Sequence, residues 1–453
     1  MDDLQKKGAL PSQDETNSEK IQPQLIYTQE KFHEIKQKPH FWMFRAYGFL
    51  KNIKFFEPYL ILILLSWELS LLQIGGLIAL ENFCALIFET ISGIIADLFG
   101  RKKALMVYFV LYSIGLGFLF FGNLGWPLVI GFILMGTGEA FRSDTIKAIL
   151  LTWMDNYGFV EYRTYIYGRY RTLSQLGGAF SSLISIVFIF VLPILPWLFL
   201  ISISPFVLNF ILVVKFPSDL SDSSRNSTED KRFSALLREI GETLKKRKLL
   251  RIYFSSASYN AIFKNLKDYI QPIIKILIVG VIWSMVTNPT EAYIKNWTAV
   301  FLGLIYAGFY LISAVAANNS YRVHSKAESS KKAMDSLHLI LVGTLTAIAF
   351  FYYIQILFAI LVLYLFMWWC YNIQRPLVMH ALSGVIPKRL WTTLWNLDSQ
   401  SEEILTIGLA PLFGLLVIYS GFEILFLIIA GVLLFVNLFL LKERTNLRDS
   451  ISK

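Results

Sequence analysis

The residues of this chain that can do chemistry are ionisable and amide side chains inside long apolar runs. Glu81 and Glu89 stand eight apart, near one face of a helix. Glu139 and Arg142 are three apart, close enough on a helix to pair. Asn260, Lys264, Asp268 and Gln271 recur at helical spacing and make a polar stripe. Trp368, Trp369, Asn372 and Arg375 form another group, and Asn396, Asp398, Gln400, Glu402 and Glu403 stand together near the start of a later run. Such side chains are costly in hydrocarbon and persist where they face a cavity or each other. Their chemistry is reversible: binding a solute, exchanging charge partners, taking up and releasing a proton. Glu81 is the deepest carboxylate and the foremost proton-coupling candidate. Glu139–Arg142 reads equally as a structural pair, Glu89 as a partner of a basic loop residue, and Asp398, Glu402 and Glu403 as interfacial. The two tryptophans read first as packing.

Hydrolytic and metal chemistry find no support. His33, His40, His324, His338 and His380 make no H-E-x-x-H, and no G-x-S-x-G elbow occurs. Cys84 and Cys370 lie in apolar runs and read as small buried hydrophobes. No enzyme activity, cofactor or metal is expected.

The elements that must position these groups are membrane helices. Of 453 residues, 55% are hydrophobic and only 16% charged, against about 25% charged in soluble domains. The apolar excess falls in blocks of about twenty residues, the length that crosses a bilayer. Twelve spans are predicted, at about 46–67, 72–95, 104–121, 128–151, 165–191, 197–214, 249–281, 299–317, 334–353, 356–378, 394–418 and 422–441. The first carries Lys51, Asn52, Lys54 and Glu57; its lysines are expected to snorkel to the interface, with Glu57 deeper. The seventh is the least apolar and either continues to residue 281 or breaks at Pro272. The expected organisation is a polar tail (1–41), a six-helix bundle (42–214), a linker (215–248), a second six-helix bundle (249–442) and a tail (443–453). The first tail reads as disordered or loosely attached, without the apolar core of a signal peptide. In the linker, Phe233, Leu236, Leu237, Ile240 and Leu244 recur at helical spacing beside Arg238 and Lys245, Lys246, Arg247 and Lys248. That pattern predicts an amphipathic helix on an anionic membrane surface.

The net charge of +10 raises nucleic acid as a partner, but the basic residues sit in short loops between apolar blocks, where the positive-inside rule puts them. Arg101, Lys102, Lys103, Arg163, the linker, Lys331, Lys332, Lys388 and Arg389 fall on one side with both tails; the opposite loops hold only Lys295. Both termini are therefore expected in the cytoplasm, and the cell membrane is the expected location.

One of those loops, between the second and third spans, reads G-I-I-A-D-L-F-G-R-K-K from Gly93 to Lys103. A second stretch, Gly136-Thr137-Gly138-Glu139-Ala140-Phe141-Arg142-Ser143, lies in the fourth span. With six spans on either side of a basic linker, these stretches resemble the major facilitator superfamily over about residues 42–442. Gly93, Asp97, Gly100, Arg101 and Lys102 match its signature turn. The loop at 321–332 lacks a second copy. The resemblance implies an all-α integral membrane fold of two six-helix bundles, transport of a small solute by alternating access with an ion, expected to be a proton, and a gating role for the turn in which Asp97 exchanges partners. The alternative is a transporter-like sensor or scaffold without net flux.

Overall fold

The structure, a computed structural model, describes residues 29–217, 247–286, 288–324, 330–383 and 391–441. Among them the regular elements are all helical, and nine helices are long and apolar enough to cross a membrane. One of the nine, Leu397–Leu438, has 42 residues. At 1.5 Å per residue that is about twice the thickness of a bilayer core. Gly421, at φ 83° and ψ 173°, interrupts it and separates the eleventh span from the twelfth. The fourth span, Trp126–Asn156, carries Glu139 and Arg142 inward. With the broken first span, the described helices accommodate twelve passages in the predicted order.

Large apolar side chains cover the lipid-facing surface: Phe180, Val187 and Phe190 on the fifth span, and Phe358, Val362 and Phe366 on the tenth, are all exposed. Within the first half the third span packs on the fourth and sixth, the second on the fourth, and the first on the fifth and sixth. The second half repeats this closeness, the ninth span packing on the tenth and on the eleventh and twelfth, and the eighth on the seventh and tenth. Two extensive seams join the halves, fifth span to eighth and second to eleventh.

Three features differ from the sequence reading. The first span is not one helix: Phe41–Lys51 ends, residues 52–56 are irregular, and Glu57–Tyr59 and Leu60–Ser66 resume. The seventh breaks at the 3-10 turn Lys267–Tyr269, ahead of Pro272. Pro272 falls in the first turn of Ile270–Met285, where its missing N–H costs nothing. Residues 29–41 are not a loose tail. The helix Gln29–Gln37 buries Ile35 fully, stacks Phe32 on Tyr165 with ring centroids 4.0 Å apart, and is followed by Pro39, whose carbonyl accepts from Trp153 Nε1 at 2.9 Å. The rest of that tail (1–28), the amphipathic part of the linker (218–246) and the tail from 442 lie outside the described residues.

Candidate solute and coupling site

The site starts from two interruptions in corresponding positions, the first span of each half. A broken helix leaves backbone groups that need partners inside the protein. The Gln271 side chain supplies them across the halves: its Oε1 accepts from Ile61 N at 2.9 Å and its Nε2 donates to Glu57 O at 3.1 Å. Phe55 N donates to Ser202 Oγ at 3.0 Å.

The breaks aim their charges at each other. Lys267 Nζ lies 3.5 Å from Glu57 and 3.5 Å from its neighbour Asp268. Tyr310 OH of the eighth span donates to Glu57 at 2.6 Å, and Tyr306 OH donates to Asp268 at 2.8 Å while accepting from Gln271 at 2.8 Å. Beside this group Lys54 donates to Tyr112 OH at 2.8 Å and lies 3.6 Å from Glu139, which also holds Arg142. The Lys54, Glu57, Glu139, Arg142, Lys267 and Asp268 side chains retain 19–26% exposure. Their partners come from inward-facing positions on both halves, so that exposure opens into an internal cleft and not to lipid.

Glu81 faces the same cleft, under the charges of Lys54, Glu139, Lys264 and Lys267, and no ion pair joins it among the described residues. The second and fourth spans touch at its level, because Gly136 has no Cβ: one would fall 2.2 Å from Glu81 O. Lys264 reaches across the halves to Asn82 Oδ1 at 2.8 Å.

The span-seven stripe divides at the break. Lys264, Asp268 and Gln271 join the cleft, whereas Asn260 is buried toward Ser256, 3.4 Å away, which in turn donates to Asp398 at 3.2 Å. Nearer the Gly93–Lys103 turn, Gln400 Nε2 donates to Glu89 at 3.0 Å, so Glu89 meets the other half as well as any loop residue. Asn372 donates to Ser313 at 2.9 Å and accepts from Arg171 at 3.4 Å; Arg375 lies 3.9 Å from Glu402. Trp368 is buried and stacks on Phe309, as packing requires, while Trp369 is exposed.

Two expectations are corrected. Lys54 does not snorkel; the break turns it inward, where Glu139 and Tyr112 hold it. Asp398 and Glu402 are not interfacial but buried, at 6% and 8% exposure. The residues missing from the predicted set are Lys54, Glu57, Lys267, Tyr306, Tyr310 and Arg171. Glu57 carried a signal, a carboxylate in the middle of an apolar run, and Lys267 is the immediate neighbour of Asp268. The tyrosines carried none, since aromatic residues fill every span.

A profile of the Major Facilitator Superfamily matches residues 47–395. The chain belongs to this superfamily. Its fold is similar to crystal structures of the nucleoside transporter NupG: a mutant form at TM-score 0.67 and 12% identity, and another at 0.62 and 11%, each match covering 88% of this chain and 98% of that one. No curated protein matches in sequence. The chain is a multi-pass integral membrane protein, a transporter for a small solute and not an enzyme.

The superfamily's signature turn is built as its residues require. Gly100 joins Leu71–Phe99 to Arg101–Phe120 at φ 94°, in the left-handed region where a side chain is strained. Arg101 donates to Thr152 Oγ1 at 2.7 Å and Lys102 to Phe216 O at 2.8 Å, tying the turn to the ends of the fourth and sixth spans. Gly93 is exposed, with open space where a Cβ would stand. The Asp97 side chain lies outside the described residues.

Proposed function

We propose that this protein is a secondary transporter that moves its solute by alternating access in exchange or in company with protons, both termini lying in the cytoplasm of a cell membrane. The observation that carries this reading is the meeting of the two broken spans at Glu57 and Lys267. Interrupted helices in corresponding positions of two halves mark where transporters bind solute and coupling ion. Here each interruption leaves its charge paired to the opposite half, so separating the halves exchanges partners.

Glu81 is the proton carrier of this scheme. It lies in the cleft without a fixed counter-ion, so protonation does not first have to break a salt bridge. The charges of Lys264 and Lys267, which come from the other half, make its own charge sensitive to how the halves sit. Asp97, Arg101 and Lys102 act at the gate, with Arg101 and Lys102 anchoring the turn within the first half. Lys and Arg concentrated in alternate loops support cytoplasmic termini. The structural likeness to NupG makes nucleosides one sensible family of trial solutes.

The test is reconstitution in vesicles holding a pH-sensitive dye. A solute panel including nucleosides is added under an imposed pH gradient. The expected result is solute-dependent proton movement that Glu81→Gln abolishes, with less than about 1 kcal/mol lost in stability because no hydrogen bond is removed. Gradient-driven uptake at the normal rate in Glu81→Gln would take Glu81 out of the mechanism. Saturable binding with no flux for any bound solute would favour a sensor or scaffold.

A further inference from the structure

Arg171 and Arg375 come from opposite halves and converge on one place in the cleft. Arg171 Nη2 reaches Asn372 Oδ1 at 3.4 Å, the long limit of a hydrogen bond, and among the described residues no carboxylate pairs with it. Arg375 follows Asn372 by three residues, on the same helical face. Its carboxylate neighbour is Glu402, at 3.9 Å, and its side chain is 40% exposed. The Arg375 guanidinium lies near enough to Arg171 to act on it, as do Tyr371 and Glu402. The two guanidinium groups thus approach each other in a cleft within the membrane, with Glu402 and Asp398 the carboxylates on the Arg375 side.

Neither arginine faces lipid. Arg171 stands nine residues from exposed Phe180, two and a half turns and so on the opposite side of its helix. Arg375 stands nine residues from exposed Phe366, with the same consequence. Asn372 is held for a purpose compatible with this: its amide nitrogen is spent on Ser313 Oγ and Trp368 O, which fixes its oxygen toward Arg171. A guanidinium offers five N–H donors in a planar fork, and Arg171 uses one, weakly.

We propose that Arg171 and Arg375 form a two-sided clamp for an oxyanion, the carboxylate or phosphate group of the transported solute. Charge-assisted, forked hydrogen bonds to such a group are the strongest contacts these side chains make. An anion between them replaces repulsion by two attractions and draws the fifth and tenth spans together. Without it the two cations favour separation at that level. The solute's own charge then holds the halves closed behind it. The gating consequence rests on the transport reading above; the binding does not.

The test uses the purified full-length protein in lipid-free detergent, so that lipid phosphate is not the source. Thermal unfolding is followed with inorganic phosphate, succinate, glycerol and chloride, the salts at matched ionic strength. Phosphate or succinate is expected to raise the unfolding temperature saturably, chloride and glycerol not, since a ligand that binds the native state stabilises it. Which of the two acts tells phosphate from carboxylate. Arg171→Gln and Arg375→Gln are each expected to weaken the apparent affinity at least about tenfold. Should either fail to fold, Arg171→Lys and Arg375→Lys, which keep the charge but lose the fork, carry the test with the same direction. No stabilisation beyond chloride, or unchanged affinity in the arginine variants, overturns the clamp. Proton-coupled flux of a neutral solute alone would also overturn it while leaving the transport reading intact. Anion binding without flux would do the reverse.

Discussion

The halves meet differently at the two ends of the cleft. At the end where the second span begins, backbones touch. A Cβ on Gly75 would lie 2.4 Å from Ala410 O, and one on Gly414 2.3 Å from Leu71 O. Nearby, Tyr59 OH donates to Ala299 O at 3.1 Å and a Cβ on Gly303 would lie 2.4 Å from Ile186. At the end of the signature turn, long side chains reach across instead: Gln400 to Glu89, Arg169 to Asn318 at 2.8 Å, and Arg171 to Asn372. Glycine contact gives many small dispersion attractions that vanish together when the helices part. A few polar bonds, each worth about 0.5–1.5 kcal/mol net, can be replaced one by one by water. On the transport reading proposed above, the first seam is the seal and the second the door.

The largest effect is expected at the seal. Gly414→Leu cannot fit without moving the second span, so it should cost about 1–3 kcal/mol or more by overpacking. Its thermal unfolding temperature should fall, and a cysteine introduced at Ile74, now 2% exposed, should become reactive. Next in size is the middle of the cleft. Glu57→Gln takes one of two carboxylates from Lys267 and the charged acceptor from Tyr310, at about 1.5–3 kcal/mol for hydrogen bonds to a charged group. Flux in vesicles should drop at least about tenfold. Smallest is the door: Gln400→Leu removes one bond to Glu89, which keeps other contacts, and should raise the population open at that end by about tenfold at most. A large loss of stability in Gln400→Leu, or none in Gly414→Leu, would erase the distinction.

Much of this was legible in the residues, and the limits have physical causes. Apolar blocks and loop charges reveal spans and their alternation, because the bilayer imposes length and the positive-inside rule imposes asymmetry. The Gly93–Lys103 turn was legible because its charges interrupt a long apolar run, and Gly100 proves to sit at a positive φ that few residues accept. Helical spacing pointed to Glu139–Arg142, since both lie on one helix. It could not find Glu57–Lys267, whose members stand 210 positions apart. Nor could it find the break at Lys267–Tyr269, where tertiary pairing outweighs the proline that marks a break in the sequence. The lysines of the first span read as interfacial because an unbroken helix would have put them there. Gly75 and Gly414 carry no signal in the sequence, because a glycine in a span shows its reason only when the helix facing it is known.

Both ends of the cleft can be measured in one preparation. Spin-label pairs at Lys103 and Leu250, beside the signature turn, and at Leu124 and Tyr353, at the opposite end, report the distances between the halves in lipid nanodiscs by pulsed dipolar spectroscopy. All four positions are exposed. Without solute, the pair beside the turn should give a broad or two-peaked distribution and the opposite pair a single narrow one. A narrow distribution beside the turn with a broad one at the glycine seam would contradict the assignment of seal and door.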